Sequence, residues 1–199
     1  MSRVLHQIWL GEKLPDYASL HQESFKNANP SWKIKLWRDS EVEPVVSRFP
    51  KLFRIYRECS TIIRADLARL CIIHSFGGLY ADLDVEFFRS VDSLFLRGRP
   101  TTFFREATTG LVTNSIFFSN ANTACLQDIL SKIRESPQST RSIDVLNFAG
   151  PHFLTNNIKP SDLIDIKSHI YFEYSPINQH VFQYGFHKYA KSWMEIGDK

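Results

Sequence analysis

Apolar residues along this chain fall into short blocks whose spacing changes from block to block. Val4 to Leu10 is apolar and β-prone and ends at Gly11, which predicts a strand buried on both faces. Pro15 and Asp16 open a predicted helix that runs to about Ala28. "NPSW" reads as a turn, and "KIKLW" (Lys33 to Trp37) alternates like a half-exposed strand. Asp39 or Ser40 can cap a helix running towards Arg48, and Pro50 starts another short helical segment. The clearest pattern lies between Ser60 and Ser75. Ile62, Ile63, Leu67, Leu70, Cys71 and His74 recur there at three- and four-residue spacing behind a capping serine. Gly77 and Gly78 stop that helix, and "LYADLDV" reads as the strand that follows.

Further strands are expected at Thr101–Arg105 and Ser115–Ser119, and a helix at Thr123–Arg134. "SPQSTRS" is a loop, and a short helix follows Gly150 and Pro151. Two strands near Leu163–Lys167 and Ile170–Phe172 come next, then an aromatic, partly helical tail from Tyr184 to Trp193. Strands alternating with helices predict an α/β class with a mostly parallel central sheet flanked by helices. The pattern shows no repeats or linkers, so the 199 residues read as a single domain.

Composition narrows the picture. At 43% hydrophobic and 14% aromatic the chain can build a large core, which excludes intrinsic disorder. A net charge of +3, with its basic residues scattered, gives no stripe for nucleic acid. Cys59, Cys71 and Cys125 show no CxxC spacing, which argues against a disulfide framework or structural zinc and for a reducing compartment. "MSRVLHQIWLGEK" has too short an apolar run for a signal peptide, and no stretch is long enough for a membrane span. The expectation is a soluble, cytoplasmic protein.

One stretch does not fit a bland core. "GGLYADLDVEF" (Gly77 to Phe87) places Asp82 and Asp84 inside an apolar run, where unpartnered charge is unfavourable. If the strand continues through them, both carboxylates face one way and Leu83 faces the other. Two carboxylates so close repel unless a cation lies between them or one takes a proton. Paired carboxylate oxygens suit Mg²⁺ or Mn²⁺. The carboxyl end of a strand is also where α/β sheets bind ligands. The alternative is a solvated turn after the strand.

"RADLARLCIIHSFGGLYADLDV" (Arg64 to Val85) resembles the signature of the DXD-motif glycosyltransferases. These include initiating α-mannosyltransferases, bacterial capsular polysaccharide glycosyltransferases and, more distantly, the glucosylating clostridial toxins. "LHQIWLG" (Leu5 to Gly11) also resembles their opening strand. The match is looser over "TNSIFFS", "AGPHFLT" and "HKYAKSW". The resemblance implies a GT-A fold with a Rossmann-like nucleotide-binding half at about residues 1–120. The acceptor side and a closing segment would follow at about residues 121–199. It implies a nucleotide-sugar donor, a glycan or glycoprotein acceptor, a divalent metal, Mn²⁺ or Mg²⁺, and retention of anomeric configuration.

By the same resemblance Asp82 and Asp84 hold the metal, and Asp82 also meets the nucleotide. Asp66 and Arg69 share a helix face and hydrogen-bond the donor sugar; without that context they would be a surface ion pair. Arg64 is a further candidate or simply a cation at the helix start. Gln7, Ile8 and Trp9 flank the nucleobase, although Trp9 by itself reads as a core tryptophan and His6 as structural. Tyr80 shares the acids' side and packs against nucleotide or sugar, or belongs to the core. Asn114 lies near the sugar or is a turn residue. Gly150 and Pro151 shape the acceptor side, with His152 capping the next helix. His187 is a third metal ligand or a surface histidine, with Lys188 as a further positive group. Ser192 and Trp193 resemble an element that closes over bound donor. Glu86 is expected to be solvated or behind the ligands. Trp9 in "HQIW" favours UDP over GDP.

The residues leave the catalytic nucleophile unassigned, and front-side displacement stays open beside a covalent route. A haloacid-dehalogenase-type phosphatase also begins with D-x-D after a strand, but its later acidic pair is missing. Acids two apart cannot straddle a sugar ring as a glycoside hydrolase requires. A nucleotide-sugar-binding module without turnover is the non-enzyme alternative.

Overall fold

The computed structural model describes residues 2–95, 98–106, 109–133, 146–161, 164–168 and 184–187. Strand β1 (Val4–Ile8) leads through helix α1 (Tyr17–Ala28) to β2 (Lys33–Trp37). Helices α2 (Asp39–Val46), α3 (Pro50–Glu58) and α4 (Thr61–Phe76) follow, then β3 (Gly78–Ala81) and β4 (Val85–Phe87). After α5 (Asp92–Phe95) come β5 (Thr101–Arg105), β6 (Val112–Ser119) and α6 (Ala124–Lys132). Helix α7 (Pro151–Asn157), β7 (Ile164–Ser168) and β8 (Gly185–His187) complete the described elements.

The main sheet has the order β2-β1-β3-β6-β5-β7. β1 is parallel to β2 and β3, and β5 is parallel to β7. β6 runs antiparallel to both β3 and β5, so the sheet is mixed. β4 and β8 form a separate antiparallel ribbon.

Strand alternation divides the core into two layers. Tyr80, Phe103 and Phe117 face α4, with α2, α3, α6 and α7 packed over the same side. Leu79, Phe104 and Phe118 face the other way, onto α1 and the segment from Val85 to Phe95. α4 lies between sheet and outer helices and is buried almost all round from Ile63 to Ile73. That is why its apolar residues lack a polar face, and why any charge on it needs a partner.

The turn from α4 into β3 depends on glycine. Gly77 has φ +63° and Gly78 φ +112°. A Cβ on Gly78 would lie 2.6 Å from the Val4 carbonyl oxygen of β1, so the close β1–β3 approach excludes a side chain. His6 completes this junction. Trp37 donates its indole N–H to His6 Nδ1 at 2.9 Å, and Nε2 lies 3.0 Å from the Gly77 carbonyl. Nε2 therefore carries the proton. Burial lowers the pKa of this structural, neutral ring to about 4.

Three sequence expectations change. The tail around Tyr184 is not helical where described, because Gly185–His187 pairs with β4. His152 does not cap α7; Gly150 is the cap and Pro151 the first helical residue. The strand after α4 stops at Ala81. The expected strand at Ile170–Phe172 lies outside the described residues.

Candidate active site

Asp82 follows β3 by one residue and keeps its alternation. Its amide donates to the Ser115 carbonyl of β6 at 2.8 Å, and its side chain faces α4 as Tyr80 does. The chain then turns, and the Val85 amide reaches the Asp82 carbonyl at 3.2 Å. Asp84 is thus brought back towards Asp82 by a turn, and not by the pleat of a continuing strand. Leu83 is buried at the tip of this turn. The turn of the bland reading is real, but its acids are not solvated: Asp82 is 30% and Asp84 13% exposed.

His187 arrives from about a hundred residues away. β8 pairs Val85 with His187, which sets the imidazole Nε2 3.3 Å from Asp84 Oδ1. One ligand atom from each of Asp82, Asp84 and His187 lies within 4.8 Å of the others. Burial favours the neutral ring, yet the hydrogen bond and charge of Asp84, with Asp82 behind it, hold His187 above its ordinary pKa. Two carboxylates and an imidazole are a donor set that fits Mn²⁺ or Mg²⁺. Tyr80 donates to Asp82 Oδ1 at 2.6 Å and Arg69 approaches the same oxygen at 3.2 Å. Both contacts fall on Oδ1, which leaves Oδ2 to face a cation.

Behind the acid pair lies a buried network on α4. Asp66 and Arg69 pair at 3.0 Å and are only 5% and 7% exposed, not the surface pair their spacing allows. Arg69 also donates to the Asn114 carbonyl at 2.8 Å and lies 4.8 Å over the Tyr80 ring. Its contacts thus run to Asp66, Asp82 and the Asn114 backbone. Asn114 donates its side-chain amide to Asp66 Oδ1 at 2.8 Å. Burial pushes the Asp66 pKa up to about 6, against the opposing charge of Arg69 and the Asn114 hydrogen bond. Asp82 is likewise raised, by burial first, with Arg69 opposing and Asp84 adding to it.

Asn114 is not before a strand, as its neighbours suggested, but inside β6. Strict alternation would turn Asn114 and Phe117 to opposite faces. The β5–β6 register slips between Thr102 and Phe104, and this bulge re-aims Asn114 towards α4. A bulge leaves little trace in residue type, so the run of Thr113, Asn114 and Ser115 reads as a turn before the strand.

Three of the residues expected at the nucleotide are buried. Gln7, Ile8 and Tyr80 are 1%, 7% and 2% exposed. Gln7 accepts from Gln22, Ile8 packs in the core, and Tyr80 packs against Phe117 with its hydroxyl on Asp82. Their side chains form the wall behind the site. Trp9, past the end of β1, is half-buried and donates its indole N–H to the Lys13 carbonyl at 2.7 Å. Asp39 was missed as a site residue. It accepts from the Gly11 amide at 3.0 Å and pairs with Arg64 at 3.3 Å, tying the Trp9 loop to α4. Arg64 also covers the Tyr56 ring and donates to its hydroxyl. Glu86 is half-buried on β4. Lys188, Ser192 and Trp193 lie outside the described residues.

Residues 15–99 match a family described as the glycosyltransferase sugar-binding region containing a DXD motif. Inositol phosphoceramide mannosyltransferase 3 of Schizosaccharomyces pombe is 27% identical over 160 residues, covering 77% of this chain. The chain spans 43% of that relative's length. Among solved structures, the UDP-bound glycosyltransferase domain from the YGT toxin superposes with a TM-score of 0.62 at 10% identity, over 83% of this chain and 79% of its own. A glycosyltransferase involved in the glycosylation of the major capsid of PBCV-1 superposes with a TM-score of 0.51 at 14% identity, over 98% of this chain and 96% of its own. The GT-A fold is thereby shown. Residues 15–99, which hold α4 and the acid pair, are thus similar to the glycosyltransferase sugar-binding region that contains a DXD motif.

Proposed function

We propose that this protein is a metal-dependent glycosyltransferase that moves a sugar from a nucleotide-sugar donor to a glycan or protein-linked glycan acceptor, with retention. The observation that carries the reading is the convergence of Asp82, Asp84 and His187 beside the buried Asp66–Arg69 pair. Asp84 and His187 with Asp82 Oδ2 would hold Mn²⁺ or Mg²⁺. A divalent cation there supplies Lewis-acid stabilisation of a diphosphate leaving group.

The chain's own residues set the rest. Arg69 and Tyr80 fix one oxygen of Asp82, so its carboxylate cannot rotate away. Asn114 and Arg69 fix Oδ1 of Asp66, leaving Oδ2 to orient a sugar hydroxyl. Trp9, held by its indole N–H and by Asp39 through Gly11, gives the donor base an aromatic surface. UDP is favoured over GDP by Trp9 and by the UDP-bound domain of similar fold. Burial of these polar groups in one rigid network supplies preorganisation.

The acceptor follows from the relatives only as a class, a glycan or glycoconjugate hydroxyl. Cytoplasmic action, including in an infected host cell, is our reading of the cysteine pattern and of the capsid-glycosylating structure of similar fold. Among the described residues no helix is long and apolar enough to cross a membrane.

The test is a panel of UDP- and GDP-sugars with and without Mn²⁺, read as nucleoside diphosphate release. Mn²⁺-stimulated release from one donor class is expected. Donor binding with no release under any acceptor would mean a binding module. Phosphate release from a simple ester would mean a phosphatase.

A further inference from the structure

The turn that carries the acid pair sits between two strands and belongs to neither. β3 ends at Ala81 and β4 begins at Val85. Its backbone groups must therefore find partners elsewhere. The Asp82 amide bonds to β6, the Val85 amide closes back on the Asp82 carbonyl, and helix α1 takes the Leu83 carbonyl. The His21 ring Nδ1 lies 2.8 Å from the Leu83 carbonyl, between the two aspartates. One turn further along α1, Ser24 Oγ accepts from the Phe87 amide at 3.1 Å. At the helix end, Asn29 Oδ1 accepts from the Val91 amide at 2.8 Å. The acid-pair segment is thus gripped from behind at three points.

His21 is the grip nearest the chemistry. It is 1% exposed, and the Tyr17 ring packs on it with centroids 5.3 Å apart. A carbonyl oxygen can only accept, so Nδ1 carries a proton. Among the described residues Nε2 has no hydrogen-bond partner. Among the described residues this imidazole makes one hydrogen bond, the one to Leu83.

We propose that His21 is a positioning residue of the cation site: by donating to the Leu83 carbonyl it fixes the turn through which Asp82 and Asp84 converge. The role rests on the metal-site reading given above. The Leu83 peptide links the two acids, and its rotation moves one carboxylate relative to the other. Asparagine places an amide N–H near the position of Nδ1, whereas glutamine reaches the position of Nε2. His21→Asn should therefore preserve the function, and His21→Gln should not.

Wild type, H21N, H21Q and H21A are compared as the full chain by two readouts. The first is Mn²⁺ affinity, from the free-ion signal in electron paramagnetic resonance. The second is amide hydrogen exchange at Val85 in metal-free protein, since that N–H closes the turn on Asp82 at 3.2 Å. H21A and H21Q should weaken Mn²⁺ binding by up to about tenfold and speed Val85 exchange by a similar factor. H21N should stay within about twofold of wild type in both. Equal behaviour of H21N and H21Q, or wild-type values for H21A, overturns the proposal. If wild type binds no Mn²⁺, the metal reading fails, and Val85 exchange still decides whether His21 fixes the turn.

Discussion

Replacing Asp66 by asparagine should stabilise the fold while removing function. Asp66 is buried on α4, and burial raises its pKa from 3.8 to about 6. An acid with a raised folded pKa binds more protons folded than unfolded between those values. Its favourable contribution is complete below pH 3.8 and is lost as pH rises through about 6. The shift of about 2 pH units corresponds to an upper value of about 3 kcal/mol at neutral pH. Asparagine is isosteric and keeps Oδ1, which accepts from both Asn114 and Arg69. D66N should match wild type near pH 4 and gain stability steadily towards pH 7. At about 2–4 °C per kcal/mol for a chain this long, the melting point should rise by several degrees. Thermal or urea melts of both proteins from pH 4 to 8 provide the measurement. His6 and the distant titrating groups are common to both, so the difference reports Asp66 together with Asp82, which its charge touches. A D66N protein that is less stable at pH 7, or offset equally at every pH, would refute the reasoning. Loss of nucleoside diphosphate release in the same protein completes the expected trade of stability for function.

The remaining predictions concern the frame and the cation. His6 has the opposite sign, since its pKa falls from 6.5 to about 4. Its contribution is present above pH 6.5 and is lost as pH drops towards 4, about 3 kcal/mol in all, and urea melts of H6Q should lack that acid limb. Gly78→Ala meets the Val4 carbonyl at 2.6 Å with φ +112°, so urea denaturation should show a loss of at least about 2 kcal/mol. At a hundredfold excess over its dissociation constant, Mn²⁺ should stabilise wild type by about 2.7 kcal/mol in thermal shift and leave D84A unmoved. Because the carboxylates hold His187 above its ordinary pKa, Mn²⁺ binding should weaken as pH falls from neutral and should release a proton, measurable by calorimetry in two buffers.

Much of the site was legible where local chemistry was strong. The helix before Gly77 announced itself by periodicity and glycine punctuation; the spacing of Asp66 and Arg69 put them on one face of it, and the resemblance put them at the site. Their burial did not, because a helix packed on all sides gives no polar stripe to orient it. The acid pair was found, yet for a partly mistaken reason. Leu83 and Val85 alternate with Asp82 and Asp84 as a strand would, and only tertiary contacts, with His21 on Leu83 and β8 on Val85, show a turn and a second ribbon. His187 entered by resemblance alone, since a three-residue strand paired across about a hundred residues has no period to read. Asn114 depended on a bulge that alternation conceals. Trp9 lay where the opening strand ends, but the burial of the Gln7 and Ile8 side chains in that strand was not legible from its apolar run.

The most direct test of the account is Mn²⁺ binding in the presence of UDP or GDP, followed by electron paramagnetic resonance in wild type, D82A, D84A and H187A. A single tight Mn²⁺ per wild-type chain is expected, tightened by one of the nucleotides, and lost in D84A and H187A proteins that still melt cooperatively. Mn²⁺ binding of wild-type strength in all three variants would place the cation elsewhere and contradict the assignment of this site.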